Sequence, residues 1–163
     1  MREFASTRYR LSHAPRWQKI LYTATLGLLA LGLLSNLLLG LTRTGLTAGA
    51  VADYYLGNPE RMMFPKTFQE LLDVTHAHAF MMPIVLLVLG HLFYLTAWPA
   101  AWKRVTVIVA TACLLLELLT PWAVRYAAPA WAYAKLAAGY GLGASWLCLV
   151  AAPLYEMWGF RRD

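Results

Sequence analysis

Charge is what this sequence has least of. Asp, Glu, Lys and Arg make up 13% of its 163 residues, against about 25% in a soluble domain. That poverty argues against disorder, a coiled coil and an ordinary cytosolic enzyme. Cysteine is scarcer still in number, with two residues. Cys113 and Cys148 both lie inside apolar runs, and no CxxC or CxxCH occurs. A disulfide scaffold, a thiol-redox centre and a covalent c-type haem therefore lack their framework. GxSxG, a Walker loop, HExxH, zinc-ribbon spacing and a dinucleotide fingerprint are also missing, so hydrolase, NTPase and dehydrogenase readings have no support. No internal repeat or low-complexity tract is present.

What fills the chain is apolar: 60% of the residues are hydrophobic. A helix needs about 20 such residues to cross the hydrocarbon core, and four runs meet that need, at about 20–41, 74–98, 105–126 and 131–158. The fold class read from this is an all-α integral membrane protein. It is a single membrane domain over 1–163: a four-transmembrane-helix bundle with an external loop between helices one and two. The first run is too long for a signal-peptide core and is read as an uncleaved anchor.

The formal charge of +6 comes from basic residues that flank the apolar runs, which fits membrane orientation and not nucleic acid. With the N-terminus inside, Arg2, Arg8, Arg10, Arg16, Lys19, Lys103, Arg104, Arg161 and Arg162 lie inside. Arg43, Arg61, Lys66, Arg125 and Lys135 lie outside. Nine against five places both termini in the cytoplasm. Trp17, Trp98, Trp102, Trp122, Trp131 and Trp158 fall near span ends, where an indole prefers to sit. Pro99, Pro121 and Pro129 mark short turns between spans two, three and four. The longer segment from Thr42 to Thr67 carries LTAGAVADYYLGNPE, which reads as a short helix stopped at Gly57-Asn58-Pro59.

Chemistry concentrates in span two. Glu70, Asp73 and His76 are spaced three apart and share one helix face, while His78 is rotated from His76 by roughly 200°. Carboxylates with imidazoles suit a transition metal ion, so Glu70, Asp73, His76 and His78 form a candidate metal cluster. Pro83 removes a backbone donor nearby, freeing the carbonyl of Ala79 or kinking the helix. His91 lies roughly 20 Å deeper along the helix, a separation that approximates the ligand spacing of two haems b stacked across a membrane. The remaining histidine, His13, sits at the opposite side. A bis-histidine haem then needs a homodimer, a ligand such as Met81 or Met82, or a partner subunit. Quinone contact by His76, His78 and His91 is the other redox reading, and hydrogen-bonded packing is the bland one.

Glu117 sits well inside span three, where a carboxylate costs several kcal/mol unless neutral or paired. It is the candidate catalytic residue, a proton acceptor for quinol chemistry. Span four carries Gly139-Tyr140-Gly141-Leu142-Gly143, whose small residues admit a neighbouring helix or a flat cofactor. Tyr133, Tyr140 and Arg125 are placed at the outer mouth, with Tyr140 as a cofactor contact.

The order of these features (an anchor, GLTAGAVADYYLGNPE, a THAHAF helix, then a Trp- and Pro-turned pair ending in GYGLGASW and LYEMWGF) resembles a little-characterised group of small bacterial membrane proteins. Some of these carry c-type cytochrome segments in the external loop. The resemblance implies roles for His76, His78, Tyr55, Asn58 and the glycines of span four. Because this chain has no CxxCH, it also implies that any covalent haem belongs to a partner, a cytochrome or respiratory subunit. Three functions follow as expectations. The first is a respiratory electron-transfer subunit or accessory protein with a haem- or quinone-contacting site at the outer ends of spans two to four. The second is a metal-binding membrane protein. The third is a non-catalytic anchor or assembly factor.

Overall fold

Helix starts in this chain are set by prolines and capping side chains, and the computed structural model, which describes residues 10–159, follows them closely. Pro15 precedes α1 (Arg16–Arg43) and Thr47 caps α2 (Ala48–Leu56), its hydroxyl accepting from the amide of Ala50. Thr67 and Glu70 form a capping box at the start of α3 (Phe68–Tyr94). Pro99 precedes α4 (Ala100–Tyr126), and the turn containing Pro129 leads into α5 (Trp131–Trp158). Two 3₁₀ turns, Leu11–His13 and Pro59–Arg61, complete the order. Among the described residues the only extended pairing is an isolated bridge between Asn58 and Met63.

The four long helices, α1, α3, α4 and α5, are long and apolar enough to cross a membrane. The second span begins at Phe68, earlier than hydropathy alone suggests, because the capping box satisfies its first amides. It stops at Tyr94 and not at Trp98, where the hydroxyl of Thr96 donates to the carbonyl of Phe93 and Lys103 Nζ reaches the carbonyls of Tyr94 and Thr96. Pro121 marks no turn. It lies inside α4, where it has no N–H to offer the carbonyl of Glu117. Of the basic residues used to orient the chain, Arg2, Arg8, Arg161 and Arg162 lie outside the described residues.

Helices α4 and α5 form the most extensive pair, α3 packs on both, and α2 lies across their ends. One core, at the end where α1 begins, gathers Leu26, Leu89, Phe93, Leu114, Trp146 and Leu149. A smaller one joins Val51 and Tyr55 of α2 to Leu71, Val124 and Ala132. The helix stopped at Gly57-Asn58-Pro59 is therefore present, and it caps the bundle. Tyr55 is buried there. Asn58 holds the following turn, accepting from the amide of Glu60 and donating to Asp53. Those are structural duties for both residues.

Helix α1 is held at one end only. Lys19 Nζ donates to the carbonyls of Ser12 and Met157, and the Trp158 indole donates to Thr23. Tyr22, Leu29 and Leu33 pack against the larger core; beyond Leu33 no residue of α1 is buried. The rest of α1 stands off from α5.

Gly57 has φ +82° and ψ 160°, a region essentially closed to other residues. An added Cβ would lie 2.8 Å from the Met63 carbonyl oxygen and from Pro65. Gly57→Ala should destabilise the protein by about 1–3 kcal/mol, read as earlier thermal unfolding in detergent. Gly143→Ala, where nothing lies within 4 Å of the new methyl, should leave it unchanged.

Candidate functional site

Among the described residues, one ion pair lies between long helices. Glu117 of α4 is ion-paired with Lys135 of α5 through a very short contact between Nζ and Oε2, both side chains about four-fifths buried. A carboxylate at this depth must be neutral or paired, and it is paired. The connection is local in topology: α4 and α5 are antiparallel neighbours joined by a short turn, so the backbone position opposite Glu117 is near Tyr140. Lys135 sits about 7.5 Å nearer the α2 end at 1.5 Å per residue, a distance its four-carbon stem spans. The count of basic residues assigns Lys135 to the outer side, within the fourth span near its start; there, in α5, it neutralises the acid.

Packing of α5 on α4 runs through glycines. The ideal Cβ of Gly139 would lie 3.3 Å from Glu117 Oε1, and that of Gly141 would lie 2.6 Å from Cys113 Sγ. The close approach therefore uses the middle glycine of the GYGLG run. Gly143, the far member of the GxxxG pair, faces open space.

That open space is a cavity of about 350 Å³ between α1 and α5, within the range of small-ligand pockets. Leu33, Leu37 and Gly40 of α1 face Leu136, Gly139, Gly143 and Leu147 of α5 across it, and Val51 of α2 borders it. Glu117, Lys135, Tyr140, Asn36 and Trp146 bring the polar groups. Counting inward from the α2 end of each helix, Asn36, Glu117 and Tyr140 lie at similar depth, about 10–14 Å in. Trp146 lies deeper. Among the described residues, the buried side-chain atoms without a hydrogen-bond partner are Glu117 Oε1 and Trp146 Nε1. Both belong to residues lining this cavity, and one accepts where the other donates. Most buried polar atoms are satisfied, so two such atoms at one cavity make it the candidate site.

At the α2 end burial pushes the Tyr55 phenol above its ordinary value, with Tyr54 next and then the Glu117 carboxylate adding to the effect. Tyr55 therefore stays neutral beside the pair.

The structure brings Glu117 and Tyr140 together and leaves the histidines elsewhere. His76 is exposed on α3, its ring tilted against Phe80 at 5.0 Å. His78 Nδ1 lies 2.8 Å from the carbonyl of Val74. His91 is exposed as well. None of the three lines the cavity. The cavity that Glu117 and Tyr140 line lies between spans one and four, and the three histidines lie outside its lining.

The acidic members of the candidate metal cluster have other partners. Glu70 closes the capping box with Thr67 and takes Lys66 at 2.7 Å, and Asp73 accepts from Gln69. Among the described residues no three His, Cys, Asp or Glu side chains are grouped to hold a metal ion. The T-x-x-E pattern before an apolar run is itself a helix-start signature, so the role of Glu70 was present in the sequence. Arg125 donates to the carbonyl of Lys66, and Tyr133 is exposed, so neither joins Tyr140 at the cavity.

These features define a multi-pass membrane protein whose polar groups meet between helices. By sequence the chain belongs to the Aq_1264_TM family, a transmembrane helical domain, which matches residues 45–163 and so takes in α2 to α5. No curated protein and no solved structure matches it.

Removing one member of a buried ion pair costs more than removing both. Lys135→Met should destabilise the protein by about 3 kcal/mol, whereas Lys135→Met with Glu117→Leu should recover most of that loss. Melting temperatures of the two single variants and the double variant in one detergent measure this coupling.

Proposed function

We propose that the chain is a membrane subunit or accessory protein of a respiratory electron-transfer system, and that the cavity between α1 and α5 receives the head of an isoprenoid quinone. The observation that carries this reading is the divided carboxylate of Glu117. Its Oε2 is fixed by Lys135, while its Oε1 has no partner and borders an apolar cavity. A quinol bound there would supply two electrons and two protons.

The chain's own residues account for recognition. Glu117 accepts a hydrogen bond from a hydroxyl at Oε1, and Lys135 holds the carboxylate in place. Tyr140 and Asn36 offer further polar contacts at the same depth. Gly139 leaves room beside the carboxylate, where a side chain would crowd it. The leucines of α1 and α5 continue the cavity as an apolar surface suited to a tail.

Haem is the weaker redox reading, because axial ligation needs two side chains converging on one iron and the described histidines do not converge. In this proposal the electrons pass to a partner, a cytochrome or another respiratory subunit, consistent with the cytochrome segments in the group the sequence resembles. The membrane is the bacterial inner membrane, with both termini cytoplasmic and α2 on the outer side.

Quinone extracted from protein purified in mild detergent tests the proposal. Near-stoichiometric quinone and no Soret band are expected. Glu117→Gln should lower retention about tenfold, the loss of roughly one charge-assisted hydrogen bond, and Gly139→Leu should lower it by filling the space beside the carboxylate. His76→Ala and His78→Ala should retain it. Protein that neither carries quinone nor binds it when added would overturn the reading, and a Soret band lost with His76→Ala would replace it with haem.

A further inference from the structure

A second hollow, of about 240 Å³, lies at the opposite end of the bundle in the groove between α3 and α4. Its floor is Gly90 of α3, where an added Cβ would meet nothing nearer than Val107 at 3.9 Å. Val107 and Ile108 form the α4 wall, and Tyr94, Lys103 and Arg104 close the end. Apolar groove and cationic head thus follow one another along the helix axis.

The two cations differ in how they are used. Lys103 Nζ donates to the carbonyls of Tyr94 at 2.8 Å and Thr96 at 2.5 Å, and lies 5.3 Å from the Tyr94 ring centre. An ammonium has three protons, so one remains for an outside acceptor. Arg104 is exposed, and among the described residues it joins no ion pair. Both stand in the early turns of α4, where cations oppose the helix dipole, so helix stability does not explain them. Arg104 gives no support to the fold comparable to the cap that Lys103 provides.

We infer that this groove binds an anionic glycerophospholipid, its phosphate between Arg104 and the free proton of Lys103 and one acyl chain along Gly90, Val107 and Ile108. Charge complementarity selects the headgroup. The chain direction follows from the groove, which runs from the cationic end toward the middle of the helices, as an acyl chain does. The site is independent of the proposed quinone cavity and of which side of the membrane this end faces.

The test uses delipidated full-length protein in a neutral detergent, titrated with phosphatidylglycerol or phosphatidylcholine of identical acyl chains and followed by native mass spectrometry. Phosphatidylglycerol should bind about tenfold more tightly, a preference supplied by cations near the headgroup. Arg104→Gln should remove the preference, and Gly90→Leu should weaken both lipids. Arg104 is exposed, so its variant keeps the test readable if Gly90→Leu does not fold. Inorganic phosphate at the same concentration should neither bind detectably nor compete. Equal affinity for the two lipids, an unchanged preference in Arg104→Gln, or full competition by inorganic phosphate would each overturn the inference.

Discussion

Lys135 and Glu117 meet across the most extensively packed helix pair among the described residues, α4 and α5. A carboxylate and an ammonium are each too costly to leave alone among hydrocarbon, so the register of the two helices must keep them together. The glycines of α5 make the approach close enough. Gly139 leaves space for the carboxylate and Gly141 lies against Cys113. With that pair fixed, α3 has a surface on which to pack, and α2 has two helix ends to cover.

The two ends of the bundle are held by different chemistry. Where α1 begins, carbonyls released at helix termini are taken by lysines: Lys19 bridges Ser12 and Met157, and Lys103 bridges Tyr94 and Thr96. At the α2 end the ties run through Arg125 to the carbonyl of Lys66 and through the Trp122 indole to Thr75. In both cases long amphipathic side chains bury their stems and deliver a donor to an acceptor that water would otherwise serve.

Much of the fold was legible because its determinants are local. Hydropathy gave the long helices, and the T-A-G-A to G-N-P segment gave α2 and its stop. Boundaries moved where a local signal was overlooked. The capping box of Thr67 and Glu70 lengthened α3, and Pro121 proved compatible with a helix interior. The site was less legible because it depends on which faces meet. His76 and His78 attracted attention as an HxH pair, yet α3 turns them away from the cavity. Glu117 and Tyr140 were found separately, one as a buried acid and the other beside a glycine run. The partner of Glu117 was missed, since Lys135 entered only the count of basic residues. Mirroring spans three and four about their short turn would have set it near Glu117.

Helix α1 has no buried residue past Leu33, so that wall of the cavity is only loosely packed. Shifting it outward disturbs neither core, and the width of the cavity can therefore change at little cost in packing.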